Sequence, residues 1–220
     1  MKSSFLKYSH LIFITCVFLA AQSCKKGQAF RIGDQDLFAF GAQDSCHFNR
    51  NSVGVRISWK GSIPVNMIIH NTVPVKYDAD IISAANRWNA ALGKTLITVV
   101  RDNSFNEGPG SDRKNIIYWS SDWDPASAQE QARTVSNTDI SRIIDSDIKI
   151  NAKNFAYSLT TQALGTTAVN LESLVLHEMG HVLGLQHFEG DGYVMSPVLP
   201  GGKVRLTFSS NELSELSCEY

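Results

Sequence analysis

The sequence predicts an α/β (α+β) fold in which strands combine with an early helix, a second helix around residue 177 and a C-terminal helix. Segments rich in β-branched residues recur between residues 53 and 150, and three segments space their apolar residues as helices do. The 220-residue chain is long enough for one domain with a substantial core. Its net charge is −1, and no basic stripe indicates nucleic acid as a partner.

The first elements read as strands followed by one helix. Residues 53–59 and 65–70 are rich in β-branched residues, which predicts two strands. Residues 80–92 place apolar side chains on one helical face and are followed by Gly93, a residue type that commonly ends helices. We therefore expect an early helix that packs against a core.

Five further elements follow, separated by segments rich in turn-forming residues. They are strands at residues 96–100, 115–119 and 140–150, a helix at residues 171–183, and a last helix through Leu216 that is opened by a capping box of Ser209 and Glu212.

The most specific motif lies in the helix at residues 171–183 and reads H-E-M-G-H-V-L-G-L-Q-H from His177 to His187. On a helix, His177 and His181 lie roughly 40° apart around the axis and about 6 Å apart along it, so both can bind one ion. Glu178 lies roughly 100° further round, where it flanks the ion and can accept a proton from water. The spacing therefore predicts a catalytic zinc site.

Two residues complete the predicted site. Gly184 can adopt the left-handed conformation that ends a helix, after which the chain can return His187 as a third ligand. The fourth position then stays open for water. The alternative, two core histidines on an amphipathic helix, leaves Glu178 without a role.

These residues resemble the extended zinc signature of the metzincin metalloproteases, H-E-x-x-H-x-x-G-x-x-H followed by a Met-turn. The second part of the signature is Tyr193-Val194-Met195-Ser196-Pro197, at a spacing similar to that of the matrixin branch. The resemblance covers residues 53–220. It implies a mixed twisted sheet with an early helix, an active-site helix and a C-terminal helix, and it makes Met195 a hydrophobic floor beneath the histidines.

The resemblance also implies the chemistry: a monomeric endopeptidase with one catalytic zinc and a protein or peptide substrate. Residues 140–150 resemble the strand that forms the sheet edge over the cleft in that family, where an extended substrate could pair; an ordinary edge strand is the alternative. Residues 196–200 would form a pocket wall, and Val198 and Leu199 hint at an apolar pocket. Calcium fits the family, but no residue pattern supports it, and no upstream segment matches the family's structural zinc site.

Two alternatives remain open. A catalytically silent surface lipoprotein could use the same scaffold to bind a partner, and a zinc hydrolase could act on a substrate other than protein. Upstream of the motif, His47 and His70 lie far apart in the sequence and read as surface or structural residues.

The N-terminus predicts export. Two lysines precede an apolar stretch at residues 11–21, so residues 1–23 read as a signal peptide. The sequence before Cys24 resembles a bacterial lipoprotein signal, which implies acylation of Cys24 and a cell-envelope location; ordinary cleavage would give a secreted protein instead. Residues 24–52 read as a tether or a short pro-like segment.

After removal of the leader, Cys46 and Cys218 are the only pair of cysteines in the domain. An exported protein favours a disulfide between them. The alternative is that Cys46 caps the zinc as a latency thiolate, although the residues around it do not match the matrixin pro-segment motif.

Overall fold

The computed structural model describes residues 46–105, 107–162 and 165–220. A five-stranded sheet has the order β2-β1-β3-β5-β4. Its strands are β1 (Val65–Ile69), β2 (Ile97–Arg101), β3 (Asn115–Ser120), β4 (Ala132–Asp139) and β5 (Arg142–Asn151). Neighbouring strands are parallel except for β4, which runs antiparallel to β5. The predicted α+β fold with a mixed sheet is confirmed.

The edge of this sheet differs from the prediction. Residues 140–150 were expected to form the edge strand, but β5 pairs with β3 on one side and with β4 on the other. The prediction is wrong, because the edge beside the cleft is β4. That strand is rich in polar residues and lacks the apolar pattern by which strands are recognised, so it could not be predicted from the sequence.

Residues 53–59 do not form the predicted strand. Only isolated bridges occur here, at Arg56 and Ser58. The side chain of Asn51 accepts hydrogen bonds from the backbone N–H groups of Val53 and Val55, and it holds this stretch as a turn. Val53 is 72% exposed, so its β-branched side chain contributes nothing to a core.

The packed domain begins earlier than residue 53. Phe48 is 1% exposed and forms a bridge with Leu185, and the described compact unit starts at Cys46. Residues 46–52 are thus part of the domain, because their apolar side chains and backbone groups find partners there. The predicted signal peptide, Cys24 and the rest of the predicted tether lie outside the described residues.

The described residues also form three α-helices: α1 (Asp78–Leu92), α2 (Leu171–Val182) and α3 (Ser210–Leu216). A short parallel pair, β6 (Tyr157–Ser158) and β7 (Val169–Asn170), leads into α2. Trp88 of α1 is fully buried and donates its indole N–H to the carbonyl of Leu176 at 2.8 Å, which fixes α1 against α2. The predicted capping box of Ser209 and Glu212 opens α3.

The C-terminus is tied to the start of the domain. Cys46 and Cys218 form a disulfide with Cα atoms 6.4 Å apart and a sequence separation of 172. On the chain-entropy account, closing a loop of this length stabilises the fold by up to about 5 kcal/mol. Because its sulfur is bonded to Cys218, Cys46 does not act as a zinc-capping thiolate.

Within the described residues, no helix is long and apolar enough to cross a membrane.

Candidate active site

The three predicted histidine ligands converge. His177 and His181 lie one turn apart on α2, and the chain beyond the helix returns His187 beside them. Their ligand nitrogens all lie within 4.8 Å of one another, and the Nε2 atoms of His181 and His187 are 3.0 Å apart. Three imidazoles at this separation suit one tetrahedral metal ion.

The turn that brings back His187 depends on Gly184. Its φ of 98° lies in the left-handed region, and a Cβ there would lie 2.6 Å from the carbonyl oxygen of Ile57. The residue therefore has to be glycine for two reasons, backbone conformation and lack of space. The second reason involves Ile57 and could not be inferred from the motif.

Hydrogen bonds from the Nδ1 atoms orient the imidazoles of His177 and His181. The Nδ1 atom of His177 is 2.8 Å from the carbonyl of Val194, and that of His181 is 2.8 Å from the carbonyl of Leu185. Each Nδ1–H donates to its carbonyl, which leaves both Nε2 lone pairs available to a metal. Burial lowers the pKa of His177 to about 3 and that of His181 to about 4, and it also lowers the pKa of His187. Neutral imidazoles with fixed tautomers fit zinc.

Met195 is fully buried beneath the ligand helix. A Cβ at Gly180 would lie 2.2 Å from its sulfur, so Gly180 makes room for the methionine. Glu212 accepts a hydrogen bond of 2.9 Å from the backbone N–H of Met195. The capping glutamate of α3 therefore also holds the turn below the histidines, and the sequence motif indicated neither Gly180 nor this second role of Glu212.

Glu178 is 5% exposed and faces β4. The hydroxyl of Thr134 donates a hydrogen bond of 2.6 Å to its Oε2 atom. Burial raises the pKa of Glu178 to about 7, although the bond from Thr134 acts in the opposite direction. A carboxyl group with this pKa can exchange protons near neutral pH. Thr134 was missed because the strand that carries it was not predicted.

A cleft of about 910 Å³ passes over these groups. Its sides are formed by residues of β4 and by the chain after Met195, and its floor holds the three histidines and Glu178. The two upstream histidines do not join the ligand group. His47 lies at the cleft with its ring 4.9 Å from that of Phe188, whereas His70 is buried against Thr72.

Among the described residues, one other group of possible metal ligands is present, made of Cys46, Glu215 and Cys218. Both of its sulfurs belong to the disulfide, so it offers no ligand set. Of these two groups, the three histidines are the one that can hold a metal ion.

Sequence comparison agrees with this arrangement. A sequence model of the family described as Matrixin matches residues 61–214. The chain belongs to the matrixin family. It is also similar to two proteins of Arabidopsis thaliana, Metalloendoproteinase 5-MMP and Metalloendoproteinase 2-MMP, with 34% identity over 55 residues in each case. That stretch is 25% of this matrixin and 15% of each relative.

Proposed function

We propose that this matrixin is a zinc-dependent endopeptidase. The observation that carries the proposal is a carboxyl group with a pKa of about 7, Glu178, buried in the same cleft as three converging neutral histidines. His177, His181 and His187 would hold one zinc ion. A site that only stabilised the fold would tend to fill the fourth metal position with a protein ligand.

The chain's own residues divide the chemistry between them. When bound, zinc would polarise the scissile carbonyl and lower the pKa of water towards ~7. Glu178 accepts the proton of the attacking water and then passes it to the leaving amine. Thr134 holds one carboxylate oxygen, which leaves the other free for this proton transfer. No side chain becomes acylated in this scheme.

Strand β4 would bind the substrate chain. Among the described strands it pairs with β5 alone, so its outer edge offers unpaired backbone groups along the cleft. An extended peptide can add to such an edge by backbone hydrogen bonds, which places its amide carbonyls in a fixed register. In this proposal β4 takes the role that the sequence assigned to residues 140–150.

The test uses purified protein beginning at residue 25 and a denatured protein substrate. The proposal predicts cleavage within the substrate chain, complete loss of cleavage after removal of zinc with a chelator, and recovery when about one equivalent of zinc is returned. If the protein binds one zinc per chain and no substrate is cleaved, a silent scaffold that binds a partner replaces the proposal.

We also propose that the protein is exported to a bacterial cell envelope and anchored by a lipid on Cys24. Its support is the apolar leader at residues 11–21 and the sequence around the cysteine. Mass spectrometry of the N-terminal peptide from a bacterial host should find an acylated Cys24. A mature N-terminus at another residue would leave a secreted protein without an anchor.

A further inference from the structure

One wall of the cleft contains a cation that the proposed chemistry does not use. This pocket wall consists of residues 194 and 196–199 together with Arg205. It adjoins the ligand group, since Val194 accepts the hydrogen bond from His177. The guanidinium of Arg205 donates to the carbonyls of Ser196 at 3.3 Å and of Val198 at 2.9 Å, so the charge is fixed in the wall.

The charge of Arg205 has no ionic partner in the part of the chain that the structure describes. None of the described carboxylates lies within ion-pair distance of it, and the carboxylate of Glu212 is engaged by Met195 and Ser209. Burial lowers the pKa of Arg205, while Asp191 and Glu212 act on it in the opposite direction from further away. A partly buried cation held only by neutral carbonyls attracts an anion that enters the cleft.

Another cation of the cleft is neutralised. Arg133 lies on β4 and forms an ion pair with Glu130, with Nε 3.0 Å from Oε2.

Of the two apolar side chains predicted to line this pocket wall, only Val198 is well exposed. Leu199 is 5% exposed and belongs to the core, and Val198 is 64% exposed. Arg205 is thus the one charged side chain among the described residues of this pocket wall.

We infer that Arg205 makes this matrixin selective for substrates with an acidic side chain, glutamate or aspartate, next to the scissile bond. The inference rests on the proposed endopeptidase function. A carboxylate in the pocket would form a charge-assisted bond with the guanidinium and supply the ionic partner that the described residues do not give Arg205. If Arg205 only tied the loop together through its two carbonyl contacts, substrate charge would have no effect.

The experiment first profiles cleavage sites in a proteome-derived peptide library with the zinc-loaded protein. It then compares two peptides that differ only in glutamate or glutamine at the position so identified. We expect kcat/KM for the glutamate peptide to be at least about 10-fold higher, as for a hydrogen bond to a charged group. Arg205→Gln should bring the ratio close to one, and Arg205→Lys should retain part of it.

Two controls keep the outcome clear. Lys203→Gln removes an exposed cation two residues away and should leave the ratio unchanged. In the unaltered protein, raising the salt concentration should reduce the ratio, a readout that does not depend on how any variant folds. Cleavage with no acidic preference, or a preference that survives in Arg205→Gln, overturns the role of Arg205 and leaves the endopeptidase intact. If no library peptide is cleaved, both the role of Arg205 and the endopeptidase function are overturned.

Discussion

Two buried glutamates six residues apart on α2 have opposite surroundings. Glu172 is 3% exposed and accepts hydrogen bonds from Ser83, Arg87 and Thr160, at 2.6 to 2.7 Å. Glu178 is 5% exposed, and the side-chain hydrogen bond it receives comes from Thr134. Burial raises both pKa values, but the three donors outweigh it at Glu172, whose pKa ends below its ordinary value. The pKa of Glu178 rises to about 7.

The difference separates a carboxylate that stays ionised from a carboxyl group whose pKa lies near neutral. Glu172 stays ionised because Arg87 and two hydroxyls replace the water it lost, and it joins α1 to α2. Glu178 has too few donors to compensate for its burial, so it takes and releases protons near neutral pH.

Loss of a metal ligand should have the largest effect. His177→Ala removes one of the three proposed zinc ligands, whereas Glu172→Gln changes the other end of the same helix. Because even the outer partners of metal ligands are worth about 10- to 100-fold in affinity, His177→Ala should weaken zinc binding by more than about 100-fold. Zinc content measured after dialysis should be near zero in that variant and one per chain in Glu172→Gln. Equal zinc in both would remove His177 from the ligand set.

Glu172→Gln should mainly reduce stability. The change leaves Arg87 without its buried ionic partner and disturbs the hydroxyl contacts, which we expect to lower the free energy of unfolding by about 2 kcal/mol. Glu178→Gln should not destabilise the zinc-free protein at pH 8, because it removes a poorly compensated buried charge. Urea unfolding of the zinc-free proteins measures both. The contrast fails if Glu178→Gln is the more destabilised variant.

The two glutamates should also give opposite dependences of stability on pH. The folded pKa of Glu178 exceeds its ordinary value of 4.5, so its contribution to stability is complete below pH 4.5 and is lost as the pH rises to about 7. The contribution of Glu172, whose pKa is lowered from the same ordinary value, is complete above pH 4.5 and is lost as the pH falls through its folded pKa.

The measurement is the difference in unfolding free energy between the zinc-free parent protein and each glutamine variant, from pH 4 to 8. For Glu178→Gln the parent should lose about 1.4 kcal/mol of relative stability per pH unit between pH 5 and 7. For Glu172→Gln the difference should be flat over that range. Parallel curves for the two variants would show that their surroundings are equivalent.

Thr134→Val tests the donor that Glu178 retains. The change keeps a β-branched side chain on β4 but removes the hydroxyl. Turnover should fall about fivefold, the equivalent of about 1 kcal/mol, with little change in KM or zinc content. Thr134→Ser keeps the hydroxyl and should restore most of the turnover. Equal rates for the valine and serine variants would mean that the hydrogen bond does not matter for catalysis.

The convergence of the three histidines could be predicted from the sequence because the information is local. The distance from His177 to His181 is set by helix geometry, and Gly184 gives the turn that returns His187. The early helix and β1 to β3 were also predicted within two residues, since their apolar faces are clear. Local spacing and local patterning were enough in each case.

The surroundings of the two glutamates could not be predicted in this way. Arg87 reaches Glu172 across 85 residues of sequence, and Thr134 reaches Glu178 across 44. β4 itself is a strand because β5 pairs with it, and its polar residues resemble a loop when they are read alone. Long-range partners therefore decide which of the two buried glutamates stays ionised and which has a pKa near neutral.

The hydrolysis of one peptide by the parent protein and by Glu178→Gln, each loaded with one zinc per chain, tests the central claim most directly. Turnover by the variant should be lower by at least about 100-fold, because general-base help typically contributes 10²–10⁴-fold. Its zinc content should not change, since Glu178 lies outside the proposed ligand set. Turnover within a few-fold of the parent protein at equal zinc content would contradict the assignment of Glu178 as the proton acceptor.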